Sequence, residues 1–441
     1  MNQCSKKKLK EGRIAIVALE DEIEKLQKLQ HGNVTEMPVK GFELNKDGAI
    51  KTNSMKNVSI ILKRDPLLAG KFRFNEFTYE IDLTTTLEQL MLEAGPIEDA
   101  VYPALLEYIE DKYHVLFPER LIQGALTNVS RINVYNPVLD YFEDCEQTWD
   151  GKRRVDELFP RFLGVEHSDL TTLITKLFFT GAVAKAYEPK TKFDYVLDLV
   201  GGQGAGKTTL LKRVSNGWYT DNFETFNNKD DYSNMLRALI INDDELTATA
   251  NSSFESLKKF ISSQMFEYRK SYGRNTVRRY KSFVMARTTN ELTYLKDRTG
   301  ERRFLPLLVQ QDKQVSSPLS DEFSQAYIDQ LWGEVTTYYH DGFRFNLTPE
   351  QEKALNQHRL KFMYVDAQEE AIEEFLQSTK RNFVSTEDIA FAIGEQNIVK
   401  NTKLAKKIKY VMDNHLGWKK TQKRLGVEVK RGYQRQVSQQ N

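Results

Sequence analysis

An apolar strand that leads directly into a glycine-rich loop is the feature that most constrains the fold of this 441-residue chain. Residues 196–200 read Val-Leu-Asp-Leu-Val, and the residues that follow satisfy the spacing GxxxxGK[ST]. Glycines in such a loop let backbone N–H groups turn toward phosphate oxygens, and the helix that follows presents the positive end of its dipole to them. The pattern predicts a nucleotide-binding loop in an α/β protein, at the end of a strand in a P-loop core of parallel strands and flanking helices.

Each residue type in the loop has a chemical task. Lys207 is expected to reach the β and γ phosphates of ATP, and the Thr208 hydroxyl is expected to hold Mg²⁺. The residues predicted to bind the nucleotide are Gly201, Gly202, Gln203, Gly204, Ala205, Gly206, Lys207, Thr208 and Thr209. A glycine-rich turn without a ligand would show the same letters, but the preceding strand and the helix after it are the context that the motif requires.

A second strand ends in an acidic string. Residues 238–241 are apolar, and Asn-Asp-Asp-Glu follows at 242–245. Ligands of open α/β sheets sit at the carboxyl ends of strands, so a carboxylate there can hold Mg²⁺ and a following Glu can polarise the attacking water. We assign Asp244 to the metal and Glu245 to the base, and the register leaves Asp243 open as the metal-side group. A solvated acidic turn is the competing interpretation.

A third apolar strand, residues 282–287, runs into Thr288, Thr289 and Asn290. The Asn290 amide at such a strand end can hydrogen-bond the γ-phosphate or the attacking water without adding charge. An Asn in an ordinary strand-ending turn would look the same when taken alone. The order of the three motifs favours the functional interpretation.

Two basic stretches lie around the third strand. The segment from Tyr268 to Lys281 contains no acid and alternates cations with tyrosines, a composition suited to a phosphate backbone and stacked bases, although a solvated hairpin is an equal alternative. Its candidate DNA contacts are Arg269, Lys270, Tyr272, Arg274, Arg278 and Arg279. Farther on, Arg302 and Arg303 are candidates for an arginine supplied across a subunit interface to a transferring phosphoryl group, and local salt bridges would explain them equally well.

Length and charge distribution indicate several domains. We predict a basic N-terminal helix and linker (1–57), an α-rich domain (58–165), the nucleotide-binding core (166–345) and a helical connector with a basic C-terminal α+β domain (346–441). Helix, helix and hairpin in the last region fit a winged helix and also other small α/β pieces. The partner that suits its charge is nucleic acid, with Lys406, Lys407, Lys419 and Lys420 as candidate contacts, although a solvated lysine-rich face would share this composition.

Composition also excludes some classes of protein. Cys4 and Cys145 are the only cysteines, so neither a disulfide framework nor a cysteine-based zinc site is expected. No apolar run reaches the length of a membrane span, and the stretch 14–19 is too short for a signal-peptide core. We expect a cytoplasmic protein with no membrane partner.

The motif order within residues 201–290 resembles the A, B, B′ and C motifs of superfamily 3 helicases. Further strings resemble the virulence-associated protein E family of prophages and chromosomal islands, and these are Leu257–Ser262, Arg269–Arg274, Thr288–Asn290 and Thr299–Phe304. The resemblance covers about residues 60–345. It implies a hexameric ATP-driven helicase or replication initiator, with Asp244 and Glu245 as the acidic pair, Asn290 as the sensor and Arg302 or Arg303 as the arginine finger.

The resulting hypothesis is a ring-shaped ATPase that moves the Tyr268–Lys281 hairpin along single-stranded DNA. Two alternatives stay open. One is a nucleotide-switched DNA-binding or origin-recognition protein with little turnover, in which residues 400–435 contact duplex DNA. The other is an ATPase that remodels protein.

Overall fold

The computed structural model describes residues 41–229, 231–269, 276–295, 301–364, 367–415, 417–425 and 428–436. Over these ranges the chain divides into two compact units, with the boundary between Pro137 and Val138. Within the described ranges, no helix has both the length and the apolar character needed to cross a bilayer.

The first unit combines helices with a four-stranded sheet in the order β3-β2-β1-β4, counted over its described residues. Its elements are α1 (Met55–Arg64), β1 (Phe72–Asn75), β2 (Glu80–Leu83), β3 (Gly95–Pro96), α2 (Val101–Tyr113), α3 (Glu119–Ser130) and β4 (Val134–Tyr135). α1 begins after Ser54, whose side chain accepts a hydrogen bond from the Asn57 N–H. Apolar positions of the three helices share one core with Phe72 and Leu83, which pair across β1 and β2. This unit therefore contains a small sheet in addition to the helices expected from the sequence.

A parallel sheet forms the centre of the second unit. Its strands are β5 (Val196–Val200), β6 (Tyr219–Thr220), β7 (Ile240–Asp243), β10 (Val284–Thr289) and β11 (Phe304–Leu308). Among the described residues the order is β11-β5-β10-β7-β6, and every neighbouring pair is parallel. The central strands are buried along their length, as expected for a sheet covered by helices on both faces. The predicted mixed α/β core with a parallel sheet is confirmed.

Helices surround this sheet. They are α4 (Pro137–Gln147), α5 (Leu158–Leu163), α6 (Asp169–Tyr187), α7 (Lys207–Val214), α8 (Asp231–Met235), α9 (Thr247–Ala250), α10 (Phe254–Ser262), α11 (Gln325–His340) and α12 (Pro349–Leu360). The predicted cap of the long helix is present, because the Ser168 hydroxyl accepts from the Thr171 N–H at 3.1 Å. Phe142 of α4 and Phe179 of α6 contact the buried Trp332 ring, with centroids 4.8 and 5.3 Å away. The structure thus groups α4 with the core, whereas the sequence analysis placed it in the N-terminal domain.

Two smaller assemblies complete the second unit. β8 (Met265–Arg269) and β9 (Thr276–Tyr280) form the predicted antiparallel hairpin. The C-terminal part consists of α13 (Ala367–Ser378), β12 (Phe383–Ser385), α14 (Thr386–Ala392), α15 (Thr402–Asn414), β13 (Trp418–Leu425) and β14 (Glu428–Arg435). Its sheet has the order β12-β14-β13 and is antiparallel, and the three helices share a core with Trp418 and Tyr433.

Candidate functional site

Adjacent parallel strands carry the predicted site residues to one edge of the core sheet. β10 lies between β5 and β7, and its last residues are in register with the last residues of both neighbours. The glycine-rich loop (residues 201–206) follows β5, Asp244 and Glu245 follow β7, and Asn290 follows β10. Because parallel strands end at the same edge, residues that are far apart in sequence meet there.

The glycine-rich loop leaves no room for side chains at its two ends. A Cβ on Gly201 would lie 2.3 Å from the Val309 carbonyl oxygen, and one on Gly206 would lie 2.8 Å from Cγ of Pro318. Gly206 also has a φ of +82° at the start of α7. The N–H groups of residues 202–205 donate to no acceptor within the described residues. A loop with free N–H groups at a helix N-terminus suits an anion such as phosphate.

Lys207 is held inside this loop and is only 5% exposed. Its ammonium donates to the carbonyl oxygens of Gly201 at 2.6 Å and Gly202 at 2.9 Å, and to Oδ1 of Asn290 at 2.9 Å. Burial lowers the pKa of Lys207, and the nearby carboxylates of Glu245 and Asp244 act in the opposite direction. The lysine therefore sits among neutral acceptors that an anionic ligand can replace.

Thr208 and Asp244 meet directly. The Thr208 hydroxyl donates to Oδ1 of Asp244 at 2.7 Å, and the same oxygen accepts from the Thr288 hydroxyl at 2.6 Å and from the Asn242 amide at 3.1 Å. Burial alone would raise the pKa of Asp244, but these hydrogen bonds outweigh it and hold the pKa below its usual value. Asp244 is therefore an ionised carboxylate beside a hydroxyl, which is a donor set that suits Mg²⁺.

Asp243 points elsewhere. Its carboxylate is buried and accepts from the N–H groups of Ala248 at 2.7 Å and Thr249 at 3.0 Å, and from the Thr249 hydroxyl at 2.5 Å. These bonds fix the first turn of α9. Burial raises the pKa of Asp243. Of the two carboxylates that the sequence left open, the structure brings Asp244 to Thr208 and uses Asp243 as a helix cap.

Glu245 lies in a strained backbone segment. Glu245 and Leu246 have φ values of +53° and +54°, a region that residues other than glycine rarely occupy and that costs about 1–3 kcal/mol each. The Glu245 carboxylate is exposed and accepts from the Asn290 amide at 3.1 and 3.0 Å. Asn290 therefore bridges Lys207 and Glu245, with its oxygen toward the lysine and its nitrogen toward the glutamate.

The two candidate finger arginines lie at the opposite edge of the sheet. Both precede β11, whose first residue, Phe304, is in register with Val196 at the start of β5. Arg302 is exposed, whereas Arg303 is half-buried and donates to the Ser262 hydroxyl at 3.1 Å. They line an open cavity of about 510 Å³ together with Arg359 and other residues. The structure does not bring them to Lys207 of the same chain.

The predicted DNA contacts are placed in different environments. In the hairpin, Arg278 is exposed and pairs with Glu267 at 3.1 Å, while Arg279 is buried at 8% exposure. A DNA contact by Arg279 would require the hairpin to change conformation. Lys270, Tyr272 and Arg274 lie outside the described residues, as does the side chain of Arg269.

The predicted contacts in the C-terminal part are on its surface. Lys406 on α15 is exposed, and Lys407 on the same helix donates to Oε1 of Gln368 at 3.0 Å. Lys419 and Lys420 are exposed on β13.

Comparisons with known proteins found one matching family model and similar solved structures. Residues 142–364 match the family model of the virulence-associated protein E-like domain. The chain belongs to this family. Among solved structures, it is similar to the apo NrS-1 C-terminal region, with TM-scores of 0.46, 0.45 and 0.40 and identities of 12%, 13% and 13% in three structures. Each likeness covers 83% of this chain and 96% of the other. The search of curated proteins found no match.

In this virulence-associated protein E-like domain, two residues that were not predicted from the sequence also organise the site. The Thr288 hydroxyl contacts Asp244 and also accepts from the Glu245 N–H at 3.1 Å. Asn242 is fully buried and donates to both Asp244 and the Tyr219 hydroxyl. The available signal for Asn242 was a polar side chain directly after an apolar run, and no role was predicted for it.

Proposed function

We propose that this protein is an ATPase that moves on single-stranded DNA as a helicase or replication initiator. The observation that carries the proposal is the hydrogen-bonded cluster at the carboxyl edge of the core sheet, where Lys207, Thr208, Asp244, Glu245 and Asn290 meet. Membership of the virulence-associated protein E-like family supports a role in the replication of a mobile element.

ATP and Mg²⁺ are the ligands that suit these residues. In the proposed complex, the free N–H groups of the glycine-rich loop and the Lys207 ammonium contact the phosphates, with the phosphate oxygens replacing the loop carbonyls around the lysine. Thr208 and Asp244 hold Mg²⁺, directly or through its water shell. The metal neutralises charge on the β and γ phosphates when bound.

Glu245 is the proposed general base. Its carboxylate is exposed and near the ammonium that marks the phosphate position, so it can orient a water and accept its proton. Asn290 contacts both Lys207 and Glu245, so a phosphate that displaces the lysine contact also changes the hydrogen bonding of Glu245. This arrangement couples nucleotide binding to the position of the base.

The position of the arginines supports an assembly of several copies. Arg302 is separated from the glycine-rich loop by the full length of β11 and β5, which is about 16 Å at roughly 3.3 Å per residue. An arginine side chain cannot span that distance, so a role in hydrolysis requires a nucleotide bound by a neighbouring copy. Arg302 is exposed, whereas Arg303 donates a hydrogen bond to Ser262, so Arg302 is the favoured arginine finger. The assembly that we propose is a hexameric ring.

The experiment is to measure ATP hydrolysis by the purified chain with and without single-stranded DNA. We expect Mg²⁺-dependent turnover that DNA stimulates and that Glu245→Gln removes. Glu255→Gln is the matched control, because Glu255 is an exposed glutamate on α10 away from the cluster.

Each other result selects a different function. Turnover that DNA does not change would favour an ATPase that remodels protein. DNA binding without turnover would favour the nucleotide-switched DNA-binding protein. Equal turnover in the wild type and in Glu245→Gln would contradict the proposed base.

A further inference from the structure

The C-terminal part presents a helix whose outer face is basic. Leu404, Ile408 and Met412 of α15 are buried in its core. The exposed residues on the other side include the cations Lys403, Lys406 and Lys409, and Tyr410 follows them. The helix contains one acidic residue, Asp413, which is also exposed. The packing therefore fixes which side of α15 faces solvent, and that side is positive.

The hairpin of β13 and β14 adds cations beside this helix. Arg431 is exposed and lies two positions from Tyr433, which is buried in the same core as α15. Side chains two positions apart in a strand emerge on the same face, so Arg431 lies on the helix side of the hairpin. Lys406 and Arg431 accordingly line one open groove of about 810 Å³, together with Lys430. The acid that borders this groove, Glu387, is paired with Lys430 at 2.9 Å.

The order of elements puts this helix where it can enter a groove of DNA. The chain runs from α13 through β12, α14 and α15 into the hairpin, and the hairpin closes the sheet with β12. This is the helix, strand, helix, helix and hairpin order of a winged helix. α15 is the last helix before the hairpin and keeps its outer face free of described elements of its own domain.

We propose that the C-terminal part binds duplex DNA, with α15 in the major groove and the hairpin against the adjacent phosphate backbone. The major groove of B-DNA is about 12 Å wide and admits an α-helix. Lysine and arginine side chains that project from a helix and from a neighbouring hairpin match phosphates on the two sides of that groove. The partner is therefore an anionic double helix.

A duplex fits this face better than a single strand. Sites for single-stranded DNA combine cations with several aromatic rings on which bases stack. The outer side of α15 offers one exposed ring, Tyr410, whereas Trp418 and Tyr433 are buried and the exposed ring of Phe391 lies on α14. This binding goes beyond the proposed ATPase, because it uses residues far from the nucleotide cluster in sequence and needs no hydrolysis.

The test is DNA binding by the full chain without nucleotide, measured as fluorescence anisotropy of a labelled duplex over a series of salt concentrations. The variant K406A/R431A removes two groove cations. We expect roughly tenfold weaker duplex binding and a slope of log affinity against log salt that is smaller by about 2, because each lost phosphate contact removes about 0.9. The control K353A/K361A removes two exposed lysines on or next to α12 and should bind as the wild type does. Circular dichroism checks that both variants are folded.

Three results would overturn the inference. They are unchanged duplex affinity in K406A/R431A, an equal loss in K353A/K361A, and a loss confined to a single strand of the same sequence. If the basic face instead binds an acidic protein, the wild type should show no measurable duplex binding, and K406A/R431A should not differ from it. A wild type that binds duplex but hydrolyses no ATP would refute the proposed ATPase and leave this inference standing.

Discussion

Two polar clusters of the core sheet differ in burial. The inner cluster lies within the sheet and consists of Asp198, Arg287 and Tyr294. The edge cluster lies beyond the carboxyl ends of β5, β7 and β10 and consists of Lys207, Thr208, Asp244, Glu245 and Asn290. In the inner cluster, Arg287 donates to both carboxylate oxygens of Asp198 at 2.7 and 2.6 Å, and the Tyr294 hydroxyl donates to the same group.

The two clusters differ in whether a ligand can replace the hydrogen-bond partners of their side chains. The side chains of Arg287 and Asp198 are 3% and 1% exposed, so no ligand can reach them. Burial would lower the pKa of Arg287, but the Asp198 carboxylate raises it and keeps the guanidinium charged. In the edge cluster, Glu245 and Asn290 are exposed, and Lys207 bonds to carbonyls that phosphates can replace. The inner cluster therefore stabilises the packing of the sheet, whereas the edge cluster can exchange its hydrogen bonds for contacts with a ligand.

The largest effect is expected for Lys207→Ala. Removing the ammonium should lower the rate of ATP hydrolysis by at least about 10³-fold, because no other described cation lies in the loop to contact the phosphates. The unfolding midpoint should change little, since the ammonium bonds only exchangeable groups. Hydrolysis and urea unfolding are measured on the same preparation. Lys212→Ala, on the exposed side of the same helix, should keep most of the rate.

A hydrolysis rate in Lys207→Ala close to that of the wild type would contradict the proposal that the edge cluster is the site of hydrolysis.

The inner cluster should respond in stability. Asp198→Asn leaves the Arg287 charge buried without its carboxylate, which costs about 3–5 kcal/mol in the free energy of unfolding. Urea unfolding followed by circular dichroism measures this change. Asp156→Asn, which removes a partly exposed carboxylate 3.9 Å from Arg153, should cost less than about 1 kcal/mol.

A double variant, Asp198→Leu with Arg287→Met, should recover most of the loss because it leaves no buried charge unpaired. If Asp198→Asn changes stability no more than Asp156→Asn does, the inner pair does not hold the sheet as proposed.

Asp243 and Asp244 are adjacent in sequence, but we expect one substitution to affect stability and the other to affect hydrolysis. Asp244→Asn should reduce hydrolysis by about 10²-fold and raise the Mg²⁺ concentration that is required, because its charge faces Thr208. Asp243→Asn should instead lower the free energy of unfolding by about 1–3 kcal/mol, because its carboxylate accepts bonds from buried N–H groups of α9. Each variant is the control for the other. The reverse pattern would exchange their assignments.

The edge cluster could be predicted from sequence because its residues lie in segments that follow apolar strands. Chain order and the rule that parallel strands end together were sufficient to place Glu245 and Asn290 near the loop. The sequence favoured Asp244 for the metal but left Asp243 open, because the choice depends on how the backbone turns at Glu245, where φ is positive.

The inner cluster could not be predicted in this way. Asp198 and Arg287 lie inside strands that otherwise read as apolar, and neither strand indicates a partner. Their pairing requires β5 and β10 to be neighbours, with Arg287 in register with Asp198, which is a property of the sheet order. The same limit applies to α4, whose contact with Trp332 depends on a residue almost 200 positions away.

The smallest effect concerns Lys281, a buried cation that lacks the partner that Arg287 has. Its ammonium donates to the carbonyl oxygens of Phe260 at 2.9 Å and Ile261 at 2.8 Å, at the end of α10. Burial lowers its pKa to about 7, and the nearby charge of Lys185 acts in the same direction. Burial therefore acts to lower the pKa of both cations, and only Arg287 has a carboxylate in contact that reverses the effect.

The sign of the pH dependence follows from proton counts. The unfolded chain binds a proton at Lys281 up to its usual pKa of 10.5, whereas the folded chain releases it near 7. Between these pH values the unfolded state holds more protons, so stability should rise with pH, by about 1 kcal/mol from pH 8 to 9. Below about pH 7 both states are protonated and this contribution stays constant. Lys281→Met should remove that part of the slope in urea unfolding, and Lys192→Met, an exposed control, should keep it. If the slope of stability against pH is the same in Lys281→Met as in the wild type, the folded protein keeps Lys281 charged. Lys281 and Arg287 would then differ in their hydrogen-bond partners but not in their protonation.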